Sequence, residues 1–468
     1  MPSLDRLAPQ PGSPWVLLLL AGLVAGAAFV PRGVRDSSRT SIVLVMTDDQ
    51  GWGDVGLRDP TLRTPELDAL FREGVEIPRF YAAAPVCSPT RASVLTGRHP
   101  ARMGIDGAND GHLPPGEICL AEALRDAGYR TGFFGKWHLG TLTRDVRDSN
   151  RGGRPAQAAH YAPPWEHGFD VTFATEAKVP TFDPMVRPGT EEPFGTRYWT
   201  GPGEAVDAST LEGDDSRLIV ERASRFLEEC ERLDRPAFAV VWLHAPHEPI
   251  VASPGPLQRL DLDPDSARAR YVACLADVDA QVGALAEALR PLDPAVLFFC
   301  SDNGPEHRDG PGSTAGLRGR KRDLFEGGIR VPAAVWWTMS DPAFEGVLRR
   351  RARAPAGTVD LFPTALDLAG VETAAANLDG RSLVTEDGLA ARYAFRSKRQ
   401  RAYVHGDWKV HSADAGESWS LYDLGRDPGE EVDRREEGSD RASTLIEAFR
   451  AWERGVLADR ADAPAASR

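Results

Sequence analysis

Ser41 to Met46 (SIVLVM) is an unbroken apolar run that ends abruptly in Thr47-Asp48-Asp49-Gln50. Strands covered on both faces, as in a parallel sheet, have this profile. Glu117 to Ala127 carries a helical spacing of apolar positions and stops at Gly128, and Thr131 to Phe134 follows as a strand. The same alternation then repeats. Arg217 to Arg232 reads as a helix and Ala237 to Leu243 as a strand; Ser266 to Leu289 as a longer helix and Ala295 to Cys300 as a strand; Val331 to Trp337 as a strand and Thr358 to Ala369 as a helix. Strands alternating with helices predict an α/β fold, a large mostly parallel sheet sandwiched by helices, over residues 38–380. Between about Thr141 and Asp215 the pattern dissolves into Gly, Pro and charge, which marks an insertion that shapes a substrate site. After Gly380 the pattern changes again. Tyr403 to Val410 and Ser418 to Leu424 read as two antiparallel strands and Arg441 to Leu457 as a terminal helix, so residues 381–468 are expected to form a smaller α+β subdomain with a short antiparallel sheet.

Trp15 to Val30 is apolar and uncharged but short for a membrane span of roughly 20 residues. Ala25-Gly26-Ala27 supplies a small-x-small cleavage pattern, whereas Arg32, Arg35 and Arg39 put positive charge on the wrong side of the run for a signal peptide. Residues 1–30 are therefore read as a cleaved signal or an uncleaved N-terminal anchor, the only route to a membrane. Either places the mature chain outside the cytoplasm, periplasmic or secreted. Lys plus Arg number 55 against 69 Asp plus Glu, a formal net charge of −14 over 468 residues. A field of that sign repels nucleic acid and anionic membrane, and an anionic substrate needs local cations or a metal to hold it. Five scattered cysteines (Cys87, Cys119, Cys230, Cys274, Cys300) make no disulfide framework and no zinc ribbon. Only five residues are Lys (Lys136, Lys178, Lys321, Lys398, Lys409), so each raises the question of why an ammonium is needed there.

Four predicted strands run directly into reactive side chains: Asp48-Asp49, Lys136-Trp137-His138, His244-Ala245-Pro246-His247 and Ser301-Asp302-Asn303-Gly304. Each alone has a bland reading as a loop, cap or turn. Together they lie at the carboxyl ends of sheet strands, where open α/β sheets bind ligands. Asp48, Asp49, Asp302 and Asn303 offer only oxygen, a hard-cation set that suits Ca2+ or Mg2+. Cys87-Ser88-Pro89-Thr90-Arg91, running on into Ala92-Ser93-Val94-Leu95-Thr96-Gly97-Arg98, reads either as a buried Cys before a turn or as a nucleophile activated by a helix N-terminus.

These segments resemble, in order, the motifs of type I sulfatases, formylglycine-dependent and arylsulfatase-like members of the alkaline phosphatase superfamily. CSPTRASVLTGR is similar to the signature whose Cys a formylglycine-generating enzyme oxidises, and TDDQGWGD and SDNG to the family's two metal motifs. GKWHLG resembles its Lys/His motif, HAPHEP its later His motif, GLRGRKRDLFEGGIRVP its Lys loop and LYDLGRDPGE its C-terminal signature; the resemblance spans Ile42 to Glu430. It implies that Cys87, as hydrated formylglycine, attacks sulfur and later expels sulfate, while Asp48, Asp49, Asp302, Asn303 and residue 87 hold Ca2+ in preference to Mg2+. Arg91 and Lys136 then steady the hydrate, His138 takes a proton, and His247 and Lys321 bind sulfate and help protonate the leaving oxygen. His244 and His247 are both candidates for the later His, each two before a Pro as in the family, and His247, in His247-Glu248-Pro249, is the one favoured. The basic run Arg318 to Arg322 is either a solvated face or an extension of the anion site. Trp52 and Trp137 read as packing rather than sugar platforms, and His99 and His112 as structural or substrate-side. The implied activity is sulfate-ester hydrolysis on a sulfated small molecule or glycan. Two alternatives remain: a phosphodiester or phosphonate monoester hydrolase of the same superfamily, or a catalytically silent glycan-binding relative if Cys87 is not matured.

Overall fold

A computed structural model describes residues 39–306, 310–372, 375, 377–385 and 392–462. The N-terminal export segment expected at residues 1–30 lies outside them. Among the described residues no helix is long and apolar enough to cross a membrane.

A nine-stranded sheet forms the centre. Its five inner strands, in the order Ala295–Ser301, Ser41–Thr47, Ala237–Trp242, Arg130–Lys136 and Val171–Thr175, are mutually parallel. Side chains alternate across the sheet. Ile42, Leu44 and Met46 pack beneath the helices Cys87–Thr96, Leu120–Asp126 and Leu361–Ala369, while Val43 and Val45 face the helices Pro65–Glu73, Asp215–Arg232 and Ala267–Leu289. Because both faces are buried, the strand must be apolar at every position, which is the run seen in the sequence.

Three expectations are corrected. Val331 to Trp337 is two strands. Pro332 cannot donate to a ladder, and around it Arg330–Val331 pairs with Phe80–Tyr81 while Ala333–Trp337 joins the main sheet antiparallel to Ala295–Ser301. The segment from 141 to 215 is not wholly an insertion, since Val171–Thr175, Tyr198–Gly201 and Glu204–Ala205 extend the main sheet at one edge. Tyr403 to Val410 is a hairpin rather than one strand. It turns at Gly406, whose φ of 58° is left-handed, and the C-terminal sheet has four antiparallel strands, Arg392–Ser397, Gln400–His405, Trp408–Ser412 and Ser420–Asp423. The helix Ser439–Asp462 covers this sheet through Leu445 and Phe449, which pack on Tyr403, Trp419 and Leu421.

A buried ionic latch joins the C-terminal sheet to the main body. Lys409 is fully buried, with its ammonium 3.0 Å from Glu326 Oε1 and 2.9 Å from Glu430 Oε1. Glu326 also accepts a 3.0 Å bond from the Tyr81 hydroxyl, and Glu430 Oε2 accepts one of 2.6 Å from the Glu326 backbone amide. Burial pushes Glu430 up to about 7, against the pull of Lys409. Removing the ammonium leaves Glu430 buried without a cation and Glu326 with only Arg330 at 3.8 Å, and breaking a buried pair in this way costs about 3–5 kcal/mol. Lys409→Met is therefore expected to lose stability of that order in urea unfolding at neutral pH; a loss within experimental error of wild type would show the latch to be energetically idle.

Candidate active site

The carboxyl ends of four parallel strands converge. Asp48 and Asp49 follow Ser41–Thr47, and Asp302 and Asn303 follow Ala295–Ser301. Lys136 closes Arg130–Lys136, with His138 two residues on, and His244 and His247 follow Ala237–Trp242. Asp49 and His138 take left-handed backbone conformations, φ 65° and 57°, as the chain turns off the sheet. Just before Lys136, Gly135 has φ 108°, and a Cβ there would lie 1.9 Å from the Trp242 carbonyl oxygen, so only glycine lets these two strands pair so closely. Cys87 is the first residue of the buried helix Cys87–Thr96, which Gly97 closes in the left-handed region at φ 66°.

The structure brings every predicted site residue to this one place. Arg91 spans three of the strand ends. Its Nη2 lies 2.8 Å from Asp302 Oδ2 and 3.2 Å from Asp48 Oδ2, its Nε donates to Asp302 Oδ2 at 3.2 Å, and its Nη1 donates to the Lys136 carbonyl at 3.0 Å. The Lys136 ammonium pairs with Asp48 Oδ2. On the opposite side Lys321 Nζ is 2.7 Å from Asp49 Oδ2, His247 Nε2 is 3.7 Å from the same oxygen, and Asn303 Nδ2 donates to Asp49 Oδ1 at 2.6 Å. Asp48, Asp302, Arg91 and Lys136 are almost fully excluded from solvent.

Buried charges of both signs set the protonation states. Burial opposes ionisation of Asp48, but Lys136, His247, Arg91 and Lys321 together hold its carboxyl well below the usual range. Asp302 goes the other way, up to about 7, through burial and then repulsion from Asp48. Burial keeps His247 neutral, down to about 4, and lowers His138 well below the usual range with Lys136 adding to the effect. Burial also pushes the Cys87 thiol up; Lys136 pulls it down, but Asp48 and Asp302 add to the rise. Burial thus disfavours the thiolate, the form that activation by a helix N-terminus would need.

The donor set fits a hard dication. Asp48 Oδ1 and Asn303 Oδ1 are buried with no hydrogen-bond partner, and unpaired buried oxygens of this kind are costly unless a cation meets them. One ligand atom each from Asp48, Cys87 and Asp302 lie within 4.8 Å of one another, as do those of Asp48, Asp49 and His247.

The two histidines after Ala237–Trp242 separate. His244 is fully buried, with Nδ1 2.7 Å from Asp215 Oδ2 and Nε2 2.7 Å from Thr175 Oγ1, whereas His247 faces the carboxylates. Trp137 is completely buried among Phe133, Phe169 and Trp242, and Trp52 is covered by the guanidiniums of Arg58 and Arg330 at 3.9 and 4.6 Å. His99 is buried edge-on to Trp452, and His112 stacks on His160. All five cysteines are free and buried. Sequence reasoning missed two polar groups at the site. Asn109 lies in a Gly-Ala-Asn-Asp-Gly turn with nothing to mark it, yet its Oδ1 is 3.0 Å from His138 Nε2. Glu306, four residues beyond Asp302, lies 3.3 Å from Lys321 Nζ and forms an ion pair with Arg322.

Comparison with known proteins agrees with this geometry. The family model described as Sulfatase matches residues 40–371. The N-acetylgalactosamine-6-sulfatase of Sus scrofa is 32% identical over 455 residues, covering 89% of this chain and 80% of that protein. Among solved structures, Ps i-CgsB in complex with a neocarrahexaose superposes with a TM-score of 0.73 at 23% identity, covering 88% of this chain and 92% of that one. A second, in complex with its substrate D-glucosamine-2-N,6-O-disulfate, superposes with a TM-score of 0.67 at 19% identity, covering 90% and 98%. With the five parallel strands, the buried Asp/Asn/Arg/Lys cluster and Cys87 at its centre, the chain belongs to the sulfatase family and is a sulfuric ester hydrolase.

Proposed function

We propose that this chain hydrolyses the sulfate ester of a sulfated carbohydrate by means of a formylglycine made from Cys87 and a bound Ca2+. The observation that carries the reading is the position of Cys87, whose sulfur shares one small cluster with the carboxylates of Asp48 and Asp302. A buried thiol held protonated there is a weak nucleophile. Once a formylglycine-generating enzyme has oxidised it, the residue supplies a hydrated aldehyde hydroxyl as the nucleophile toward sulfur. Asp48, Asp49, Asp302 and Asn303 would hold the cation, which when bound supplies positive charge to an anionic oxygen.

The remaining groups act on the substrate and on protons. Lys321 and His247 face the same Asp49 oxygen and present an ammonium and an imidazole to the sulfate. Lys321 can donate to the ester oxygen as it departs; His247, whose Nδ1 donates to the Glu248 carbonyl at 2.5 Å, can do so from Nε2 once it has taken up a second proton. Arg91, bonded to Asp302, Asp48 and the Lys136 carbonyl, fixes the strand ends and neutralises their carboxylates. Lys136 pairs with Asp48 and steadies residue 87 through its charge. Asn109 Oδ1 accepts the Nε2 proton of His138, which leaves Nδ1, buried and without a partner, as the nitrogen free to take a proton. The carbohydrate reading is supported by the names of the relatives, an N-acetylgalactosamine-6-sulfatase and a structure holding a disulfated glucosamine. Export of the mature chain from an N-terminal signal or anchor accords with such a substrate.

The first test is the mass of the tryptic peptide Phe80–Arg91, from protein made with a formylglycine-generating enzyme. An aldehyde in place of the thiol is expected, together with turnover of 4-nitrophenyl sulfate; an unmodified thiol in a host that matures a control sulfatase would falsify the mechanism. A second prediction separates the two histidines. His247→Ala is expected to lose on the order of 100-fold or more in kcat with a near-normal melting temperature. His244→Ala, which strips partners from Asp215 and Thr175, should cost about 1–3 kcal/mol of stability instead, and the reverse pattern would exchange their roles. Third, Asp302→Ala should lose calcium, read by elemental analysis of the gel-filtered protein, and activity together. Full calcium with full activity in that variant would remove Asp302 from the metal set.

A further inference from the structure

Of the basic run Arg318 to Arg322, two arginines are committed to the protein itself. Arg318 donates to the Glu430 carbonyl at 3.0 Å and lies over the Phe325 ring at 4.0 Å, and Arg320 donates to the Gly312 carbonyl at 2.6 Å and the Glu306 carbonyl at 2.8 Å. Lys321 turns inward to Asp49. Arg318 and Arg322 are the exposed residues of the run, and only Arg322, with 48% of its side chain accessible, adjoins Lys321 and is tied through the Glu306 carboxylate.

Its backbone is held there at some cost. Arg322 has φ 78°, a region that non-glycine residues seldom occupy, and three contacts enforce it. Its amide donates to the Pro85 carbonyl at 2.8 Å, two residues before Cys87; its carbonyl accepts from Gln400 Nε2 at 2.7 Å; and Gln400 Oε1 accepts from the Leu324 amide at 2.8 Å. Glu306 bridges the two cations, with Oε2 3.3 Å from Lys321 Nζ and 3.3 Å from Arg322 Nη2 and with Oε1 paired to Arg322 Nη1. One carboxylate thus spans the ammonium and the guanidinium at once. The arm of the bridge to Arg322 is solvent-exposed, and exposed pairs are weak, so an incoming anion can take the place of Glu306 on Arg322 while Lys321 keeps its 2.7 Å pair with Asp49.

We propose that Arg322 is a second anion-binding residue, adjoining the sulfate site, and that the preferred substrate carries a further sulfate or carboxylate beside the sulfate ester that is cleaved. Glu306 occupies that position in the free protein and yields it when the substrate's second anion arrives. The guanidinium fork suits either anion through two parallel donors. This rests on the sulfatase reading given above and specifies the class of its substrate.

The experiment uses the full chain carrying formylglycine. The inhibition constants against 4-nitrophenyl sulfate are compared for two pairs of ligands: glucosamine 6-sulfate with glucosamine 2-N,6-O-disulfate, and N-acetylgalactosamine 6-sulfate with N-acetylgalactosamine 4,6-disulfate. In wild type at least one disulfate should bind tenfold or more tightly than its monosulfate. That ratio should fall below twofold in Arg322→Gln and recover in part in Arg322→Lys. No disulfate preference in wild type, or a preference that survives Arg322→Gln, would overturn the assignment. If the mature protein turns over no sulfate ester, the catalytic reading fails on its own; the same ratios measured by calorimetry still decide the role of Arg322.

Discussion

The site depends on a balance of buried charge. Asp48, Asp49 and Asp302 lie with Arg91, Lys136 and Lys321 in a region that water hardly reaches. Removing such ions from water costs several kcal/mol each, and the cost is met only if every charge finds a partner of opposite sign in good geometry. Arg91 meets this condition with a single side chain, since its planar fork reaches Asp302, Asp48 and the Lys136 carbonyl together. The rest of the architecture serves to bring these groups to one point. Five parallel strands end at the same edge, and a glycine at 135 lets two of them pair closely beneath the cluster. One helix starts at that edge with Cys87 as its first residue.

The C-terminal sheet belongs to this arrangement as well. The loop that carries Lys321 is anchored by Leu324 and Ile329, which pack with Phe395 and Val404 of that sheet, and polar groups of the sheet hold it as well. Gln400 grips the loop by both ends of its amide, and the buried Lys409 binds Glu326 at the far side of the loop and Glu430 of the C-terminal signature. This gives a physical account of why LYDLGRDPGE, remote in sequence from every reactive residue, lies within the motif set. Its glutamate completes the latch that fixes the loop carrying Lys321. It also accounts for a third lysine of the five.

Much of the site could be read from the chain because each strand announces itself as an apolar run and stops at a charged residue. Asp48, Lys136 and Asp302 stand out because each closely follows an apolar core of its strand, IVLVM, FF and AVLFFC. What could not be read depends on contacts distant in sequence. Val171–Thr175 is a parallel strand whose five residues include two threonines, too short and too polar to rise above its Gly- and Pro-rich surroundings. The split at Pro332 and the turn at Gly406 were both signalled by residue type, yet the apolar residues on either side hid them. His244 and His247 are equivalent in local sequence. The partners Asp215, at the start of a helix, and Thr175, at the end of a strand, hold the first away from the site. Asn109, Glu306 and Gln400 have no local signature, because each matters through polar contacts with residues that the fold brings to it.

The overall charge of −14 opposes capture of a sulfate, and the protein answers it locally rather than globally. A distributed positive surface would attract anions of every kind. Cations placed within a hydrogen bond of one carboxylate cluster act only on an anion that reaches them, where a low dielectric strengthens their effect. The same cluster accounts for the unusual nucleophile. Thiolate chemistry requires a site that favours negative charge on sulfur, but here burial, Asp48 and Asp302 favour the neutral thiol. A hydrated aldehyde is neutral, so it can occupy the position between a dication site and those carboxylates without carrying a charge of its own beforehand. A buried cluster already balanced between carboxylates and cations can therefore accept an aldehyde hydrate more readily than a thiolate. The electrostatics of the sulfate site are thus compatible with the aldehyde hydrate proposed above at residue 87.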